Sequence, residues 1–160
     1  MLFKELDYRD IESILKITDE TYKIISPQFF IKPEKDILSF CVNNGLSWGA
    51  FYENKLIGFA LALIIYKNNN KFSYMPELKN SYVQYVGILV KPKYQNSDVA
   101  KTLSNHRFSK VSQMNLNIIA IAHPLNNKSL HLLKMQGFTV INNRNSYKGY
   151  ERLFLIRECI

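Results

Sequence analysis

The sequence predicts an α/β (α+β) domain: a mixed, mostly antiparallel sheet with helices on both faces. Three observations carry this expectation. Apolar strand-like runs joined by short polar turns fill the first half, and strand–helix–strand alternation comes after, so the order reads β-α-α-β-β-β-α-β-α-β-β. A chain of 160 residues that is 47% apolar and 13% aromatic can bury one sizeable core, and 21% charged residues exclude wholesale disorder. The longest apolar run, Leu56–Tyr66, contains Gly58 and falls well short of the ~20 residues that cross a bilayer, so it reads as a buried strand.

Each element has a local reason. Phe3-Lys4-Glu5-Leu6 is a short strand ending in a polar turn, and Asp7 and Asp10 can cap the first helix. Ile11, Ile14, Leu15 and Ile17 recur at helical spacing, which predicts that helix from about Asp10 to Tyr22. Pro27 and Pro33 bracket a loop holding Phe29 and Phe30. Pro33 suits the first position of a second helix through Ile37, Leu38, Phe40 and Cys41, closed by Asn43-Asn44-Gly45. Strands Ser47–Tyr52 and Leu56–Ile65 flank the hairpin turn Glu53-Asn54-Lys55. Lys67–Asn80 is a polar loop, long enough to be functional or mobile. Ser81–Val90 is a third strand of this group, stopped by Pro92. Asp98–Met114 is a helix with Val99, Leu103, Phe108 and Val111 inward. Leu116–Ala122 is a strand stopped by Pro124. Asn126–Gln136 is a helix with Gly137 at its end. Phe138–Asn142 and Glu151–Arg157 complete the sheet. Neither a repeat nor a linker interrupts the chain, so residues 1–160 are expected to form one domain.

Composition narrows the function classes. The start, Met1 to Asp7, lacks the basic-then-apolar order of a signal peptide, so a cytoplasmic protein with no membrane partner is expected. Cys41 and Cys159 make no disulfide framework and no CxxC pair, and three scattered histidines suggest no metal. The net charge of +8 favours acidic partners, but the lysines form no basic run, so nucleic acid is not the expected partner.

The informative stretch is Val90-Lys91-Pro92-Lys93-Tyr94-Gln95-Asn96-Ser97-Asp98-Val99-Ala100-Lys101-Thr102-Leu103. A strand ends at a proline, a short turn comes next, and a helix opens with small residues. The free N–H groups and partial positive charge of a helix start suit a pyrophosphate. Ser97 and Ala100 leave room for it, and Lys101 adds charge.

This stretch resembles the pyrophosphate loop of the GNAT (Gcn5-related) N-acetyltransferases, V-x-P-x-[YF]-[QR]-x-x-G-x-[GA], at Val90, Pro92, Tyr94, Gln95 and Ala100. A second segment resembles that family's N-x-x-[AS]-x-x-L-Y-x-x-x-G-F at Asn126, Ser129, Leu132, Gly137 and Phe138. The element order is similar from end to end, which implies a GNAT-like sheet. The resemblance implies acetyl-CoA (coenzyme A) as cofactor, lying where the fourth and fifth strands splay. It places the pantetheine along Ile88, Leu89 and Val90, with the backbones of Ile88 and Val90 meeting it. The pyrophosphate falls to the N–H groups of Gln95, Asn96, Ser97, Asp98, Val99 and Ala100, with Lys101 nearby, and Asn126 and Ser129 lie on the far side. Gly87 fits a bulge or the close approach of a ligand.

Two departures stand out. Asp98 replaces the central glycine of the loop, an anion beside a dianion unless it turns away. Leu133 replaces a tyrosine whose hydroxyl is the family's usual acid for the departing thiolate. The fourth strand also holds no carboxylate. The catalytic candidates are therefore Tyr82 and Tyr85 on that strand and His123 after the fifth, each able to hold a water or move a proton, and each also an ordinary strand or turn residue. An acceptor site is expected from Tyr22, Phe29, Phe30 and Tyr74, with Tyr66 and Phe72 beside them; core packing explains such aromatics equally well. The reading is an acetyl-CoA-dependent N-acetyltransferase acting on a primary amine of a small molecule or peptide. The alternative is a non-catalytic GNAT-like module that binds acyl-CoA or a partner. The resemblance leaves room for a homodimer.

Overall fold

The computed structural model describes residues 1–25, 28–69, 71–95, 97–141 and 144–159; Pro27 and Asn142 lie outside the described residues. Strand β1 (Leu2–Glu5) leads through a single 3-10 turn at Tyr8–Asp10 into helix α1 (Ile11–Tyr22), followed by α2 (Lys35–Cys41). Strands β2 (Trp48–Tyr52), β3 (Lys55–Ile65) and β4 (Tyr82–Val90) then form a meander. Helix α3 (Val99–Val111), β5 (Ile118–Ala122), α4 (Asn127–Met135) and β6 (Thr139–Ile141) come next. A two-stranded hairpin, β7 (Ser146–Tyr147) and β8 (Tyr150–Glu151), precedes β9 (Leu153–Arg157).

Seven strands form the sheet in the order β1-β2-β3-β4-β5-β9-β6, and every neighbouring pair is antiparallel except β4–β5. The predicted mixed, mostly antiparallel architecture is therefore observed. Side-chain alternation along the strands sends two sets of apolar residues to opposite faces. One set packs with Ile14, Ile17, Ile37 and Leu38 of α1 and α2. The other packs with Val111, Leu130 and Leu133, and with Val99 and Leu103, of α3 and α4. Helices cover both faces.

Four local differences have physical reasons. Helix α2 starts at Lys35, not Pro33, because Glu34 is extended (φ −70°, ψ 150°) and serves as N-cap. The β2–β3 turn is two residues, Glu53 and Asn54, both at positive φ, so Lys55 already pairs with Tyr52. The last expected strand is broken at Arg152. Its first part pairs locally across Lys148 and Gly149, again both at positive φ, while β9 inserts between β5 and β6. The long loop after β3 is tied down: buried Gln84 accepts from Tyr74 N–H at 2.8 Å and donates to Phe72 O at 2.8 Å.

Candidate active site

Strands β4 and β5 pair only at Val83–Ile118 and Gln84–Ile119. Beyond Gln84 they separate. The cause lies in β4, where Leu61 faces Gly87 while its neighbour Ala62 faces Tyr85, so Val86 is an extra residue. Gly87 takes φ +133°, and a Cβ there would lie 3.1 Å from Phe30 Cε2. Glycine is required at this bulge by conformation and by contact.

The gap opens into a cavity of about 480 Å³. Its wall is β4 from Tyr85 to Val90, β5 from Ala120 to Ala122, the α1–α2 connection, and the first turns of α3 and α4. Lys91 N–H donates to Ile57 O at 2.8 Å. Antiparallel amide groups alternate sides, so those of Val90 and Ile88 face the gap. Gln95 Nε2 already donates to Val90 O at 3.0 Å.

Of the expected coenzyme residues, Ile88, Leu89, Val90, Gln95, Ala100, Asn126 and Ser129 border this cavity. Ser97, Asp98, Val99 and Lys101 are not part of its wall. Ser97 Oγ turns back to Tyr94 O, Val99 packs into the core with Leu103, and Lys101 is exposed. Asp98 is exposed as the N-cap of α3 and makes no side-chain capping bond. Asn96 lies outside the described residues. Asn126 caps α4, its Oδ1 accepting from Ser129 N–H at 3.3 Å.

The three catalytic candidates separate. Tyr85 borders the cavity. Its ring lies 3.5 Å beneath the Arg107 guanidinium and its hydroxyl points at Gln136 Oε1, 3.5 Å away. Burial pushes the Tyr85 phenol up from its ordinary value, so it stays protonated at neutral pH. Tyr82 is not on the wall: its hydroxyl binds Ser73 Oγ and Gln84 Oε1, holding the loop after β3. His123 is not on it either. Its Nδ1 accepts from Leu125 N–H at 3.1 Å, and its ring meets the edge of Phe29 at 5.0 Å between centroids. Of the expected acceptor residues, Phe29, Phe30 and Tyr74 border the cavity, as does Phe72. Tyr22 does not; it stands close enough to Tyr150 to interact electrostatically.

The cavity also contains polar groups that no motif marks. Arg107 Nη1 donates to Leu61 O at 3.0 Å and to Gly87 O at 3.2 Å, bracing the bulge from α3. The sequence signal was its spacing, four residues after Leu103 and four before Val111, a charge inside an apolar stripe. Gln136 Nε2 donates to Ser104 Oγ at 2.8 Å beside it. Arg152 is 2% exposed and joins the wall from the β8–β9 junction. Leu133, where the resembling family has a tyrosine, is buried against the same cavity. Among the described residues no His, Cys, Asp and Glu side chains gather into a metal site, and no helix is long and apolar enough to cross a membrane.

A strand pair splayed at a glycine bulge, with a helix start at one end, frames the cavity. Residues 11–138 match the acetyltransferase (GNAT) family, and the chain belongs to it. Solved structures are similar over nearly the whole length. Arabidopsis thaliana NAA60 in complex with acetyl-CoA superposes with a TM-score of 0.72 at 20% identity, covering 98% of both chains. A GNAT acetyltransferase from Streptococcus pneumoniae gives 0.71 at 12% identity, covering 98% of this chain and 97% of that one. The PaiA N-acetyltransferase from Thermoplasma acidophilum in complex with coenzyme A gives 0.67 at 17% identity, covering 98% of both. No match was found among curated protein sequences.

Proposed function

We propose that residues 1–160 act as one N-acetyltransferase unit that moves an acetyl group from acetyl-CoA to a primary amine of a small molecule or peptide. The observation that carries this reading is the gap itself: the side of β4 that β5 leaves unpaired beyond Gln84, where the Val90 and Ile88 N–H groups face a cavity ending at the start of α3. The residues present fit the coenzyme. The Val90 and Ile88 amides are positioned to pair with the amides of an extended arm, as an added strand would. Half-buried Ala100 leaves the N-terminus of α3 open, where unpaired N–H groups and the helix dipole favour phosphate. Bound acetyl-CoA supplies the thioester. The amine nitrogen bonds to its carbonyl carbon, the carbon–sulfur bond breaks, the sulfur leaves with the electron pair and takes a proton, and the amine gives one up.

The chain's own groups divide that work. The Ile88 N–H faces the gap, and Arg107 binds the carbonyl of the same peptide group at Gly87. A donor polarised in this way suits an oxygen that gains negative charge. Tyr85 supplies a proton donor near the gap. The one carboxylate on the described cavity wall, Glu34, lies 3.6 Å from Lys148, so water is the acceptor for the amine's proton. The second reading, binding without transfer, is favoured by Leu133 in the tyrosine position.

Calorimetric titration with acetyl-CoA and with free CoA, followed by thiol release in the presence of an amine panel, tests both. Micromolar binding with amine-dependent thiol release supports the enzyme. Binding with no release by any amine supports the module. A folded protein that binds neither coenzyme overturns both.

A further inference from the structure

The acceptor's chemistry is written in the charge around the cavity. The described wall carries six cations, Lys32, Lys71, Arg107, Lys128, Lys148 and Arg152, against one carboxylate, Glu34. Lys148 and Lys32 have acidic partners in Glu34 and Asp19. Arg107 spends Nη1 on two carbonyls and stacks on Tyr85. Lys71 and Lys128 are exposed, where water solvates them.

Arg152 is different. It is 2% exposed, and among the described residues its Nη1 donates only to its neighbour's carbonyl, Glu151 O, at 2.6 Å. Its Nη2 is buried and has no acceptor among the described residues. Around it stand the Tyr150 ring, 5.4 Å from the guanidinium carbon, with Tyr74 and Tyr22 close enough to interact electrostatically. A guanidinium stays charged even here, and burying it without an anion is unfavourable. The fork geometry matches a carboxylate. Arg152 lies on the acceptor side: its neighbours belong to α1, to the loop after β3 and to the β7–β8 hairpin, whereas the phosphate seat is at the start of α3. It shares one continuous cavity with Gly87.

We propose that Arg152 receives a carboxylate carried by the acceptor, close to its reactive amine. This rests on the acetyltransferase reading and narrows its substrate class to amines such as free amino acids or peptides beginning with an acidic residue. The apolar wall of Phe29, Phe30 and Ile25 then takes the remaining side chain.

Product analogues test this without turnover. Binding of N-acetylphenylalanine is compared with that of its amide, and an N-acetylaspartyl dipeptide amide with its asparaginyl counterpart, with and without CoA. In at least one pair the carboxylate form binds roughly tenfold tighter or more. The pair that shows the gap tells a free carboxyl from an acidic side chain. Arg152→Gln closes the gap, and Arg152→Lys, which keeps the charge without the fork, leaves part of it. Equal binding within both pairs by the unaltered protein overturns the proposal, as does a gap that survives Arg152→Gln. CoA affinity is measured alongside. If CoA binds and neither carboxylate is preferred, only this inference fails. If CoA does not bind, the acetyltransferase reading fails, whatever the carboxylate pairs show.

Discussion

At the scale of single residues, identical side chains take opposite roles according to what their polar atoms already hold. Tyr82 and Tyr85 lie three positions apart on β4, yet only Tyr85 reaches the cavity. The hydroxyl of Tyr82 is committed to Ser73 and Gln84, while that of Tyr85 has a single long contact to Gln136. Tyr85→Phe is therefore expected to lower kcat about a hundredfold with CoA affinity within twofold, in the range of general acid catalysis. His123→Ala, whose ring lies behind Phe29, leaves kcat within about threefold, because no proton-transfer term of that size is lost. Steady-state kinetics on the two variants checks both, and the reverse pattern exchanges their roles. Ala100 gives a separate test of the phosphate seat. Ala100→Glu places a like charge on the cavity wall beside the expected pyrophosphate. An acid in the first turn of a helix favours the helix, so the fold survives. CoA binding disappears from the calorimeter while the circular dichroism spectrum is unchanged; unaltered affinity removes the coenzyme from this helix start.

At the scale of elements, the site is made by one strand failing to pair. The extra residue at Val86 and the φ of Gly87 turn β4 away from β5, and Arg107 on α3 holds the turned carbonyl. On the other face, Gln84 performs a similar service for the loop after β3. It is fully buried, and its amide satisfies both Tyr74 N–H and Phe72 O. Gln84→Leu keeps the volume and orphans two backbone groups, a loss of about 2 kcal/mol or more. Denaturant unfolding reads the loss, and hydrogen exchange at Tyr74 speeds up beyond the global change. An unchanged midpoint means the loop is held by Tyr82 and Ser73 alone.

At the scale of the whole molecule, burial separates the two cysteines. Cys41, the last residue of α2, is 0% exposed, and burial pushes its thiol up to about 12, far above neutral pH. Cys159 is exposed. The thiolate is the reactive form. A thiol reagent at pH 8 is expected to modify one cysteine per chain quickly in the native protein and two in denaturant; rapid modification of both in the native state contradicts the packing of α2. The charge of +8 is likewise a property of the whole. It is spread over the sequence, and on the described cavity wall six cations stand against one carboxylate. An anionic coenzyme and a carboxylate acceptor are the ligands such a field draws in.

The sequence by itself determined the element order as far as β6 and the two faces of the sheet, and it marked the helix starts proposed to hold the coenzyme. Those rest on local rules: the helical spacing of Ile11, Ile14 and Ile17, the apolar runs of β2 and β3, Pro92 ending a strand, and Ala100 and Asn126 in recognisable surroundings at helix starts. Only the tertiary structure decided which polar groups face the gap and which brace the segments around it. Arg107, Gln136, Gln84 and Arg152 belong to no motif, and each of the first three bonds at least one partner ten or more positions away in the chain. Arg152 depends on distant pairing in another way: the β7–β8 hairpin breaks the last strand there and turns a residue of ordinary sequence context into a buried charge. Local pattern fixes where a side chain sits on its own element; what it meets is settled when distant elements pack, because burial and hydrogen-bond satisfaction are properties of the assembled core.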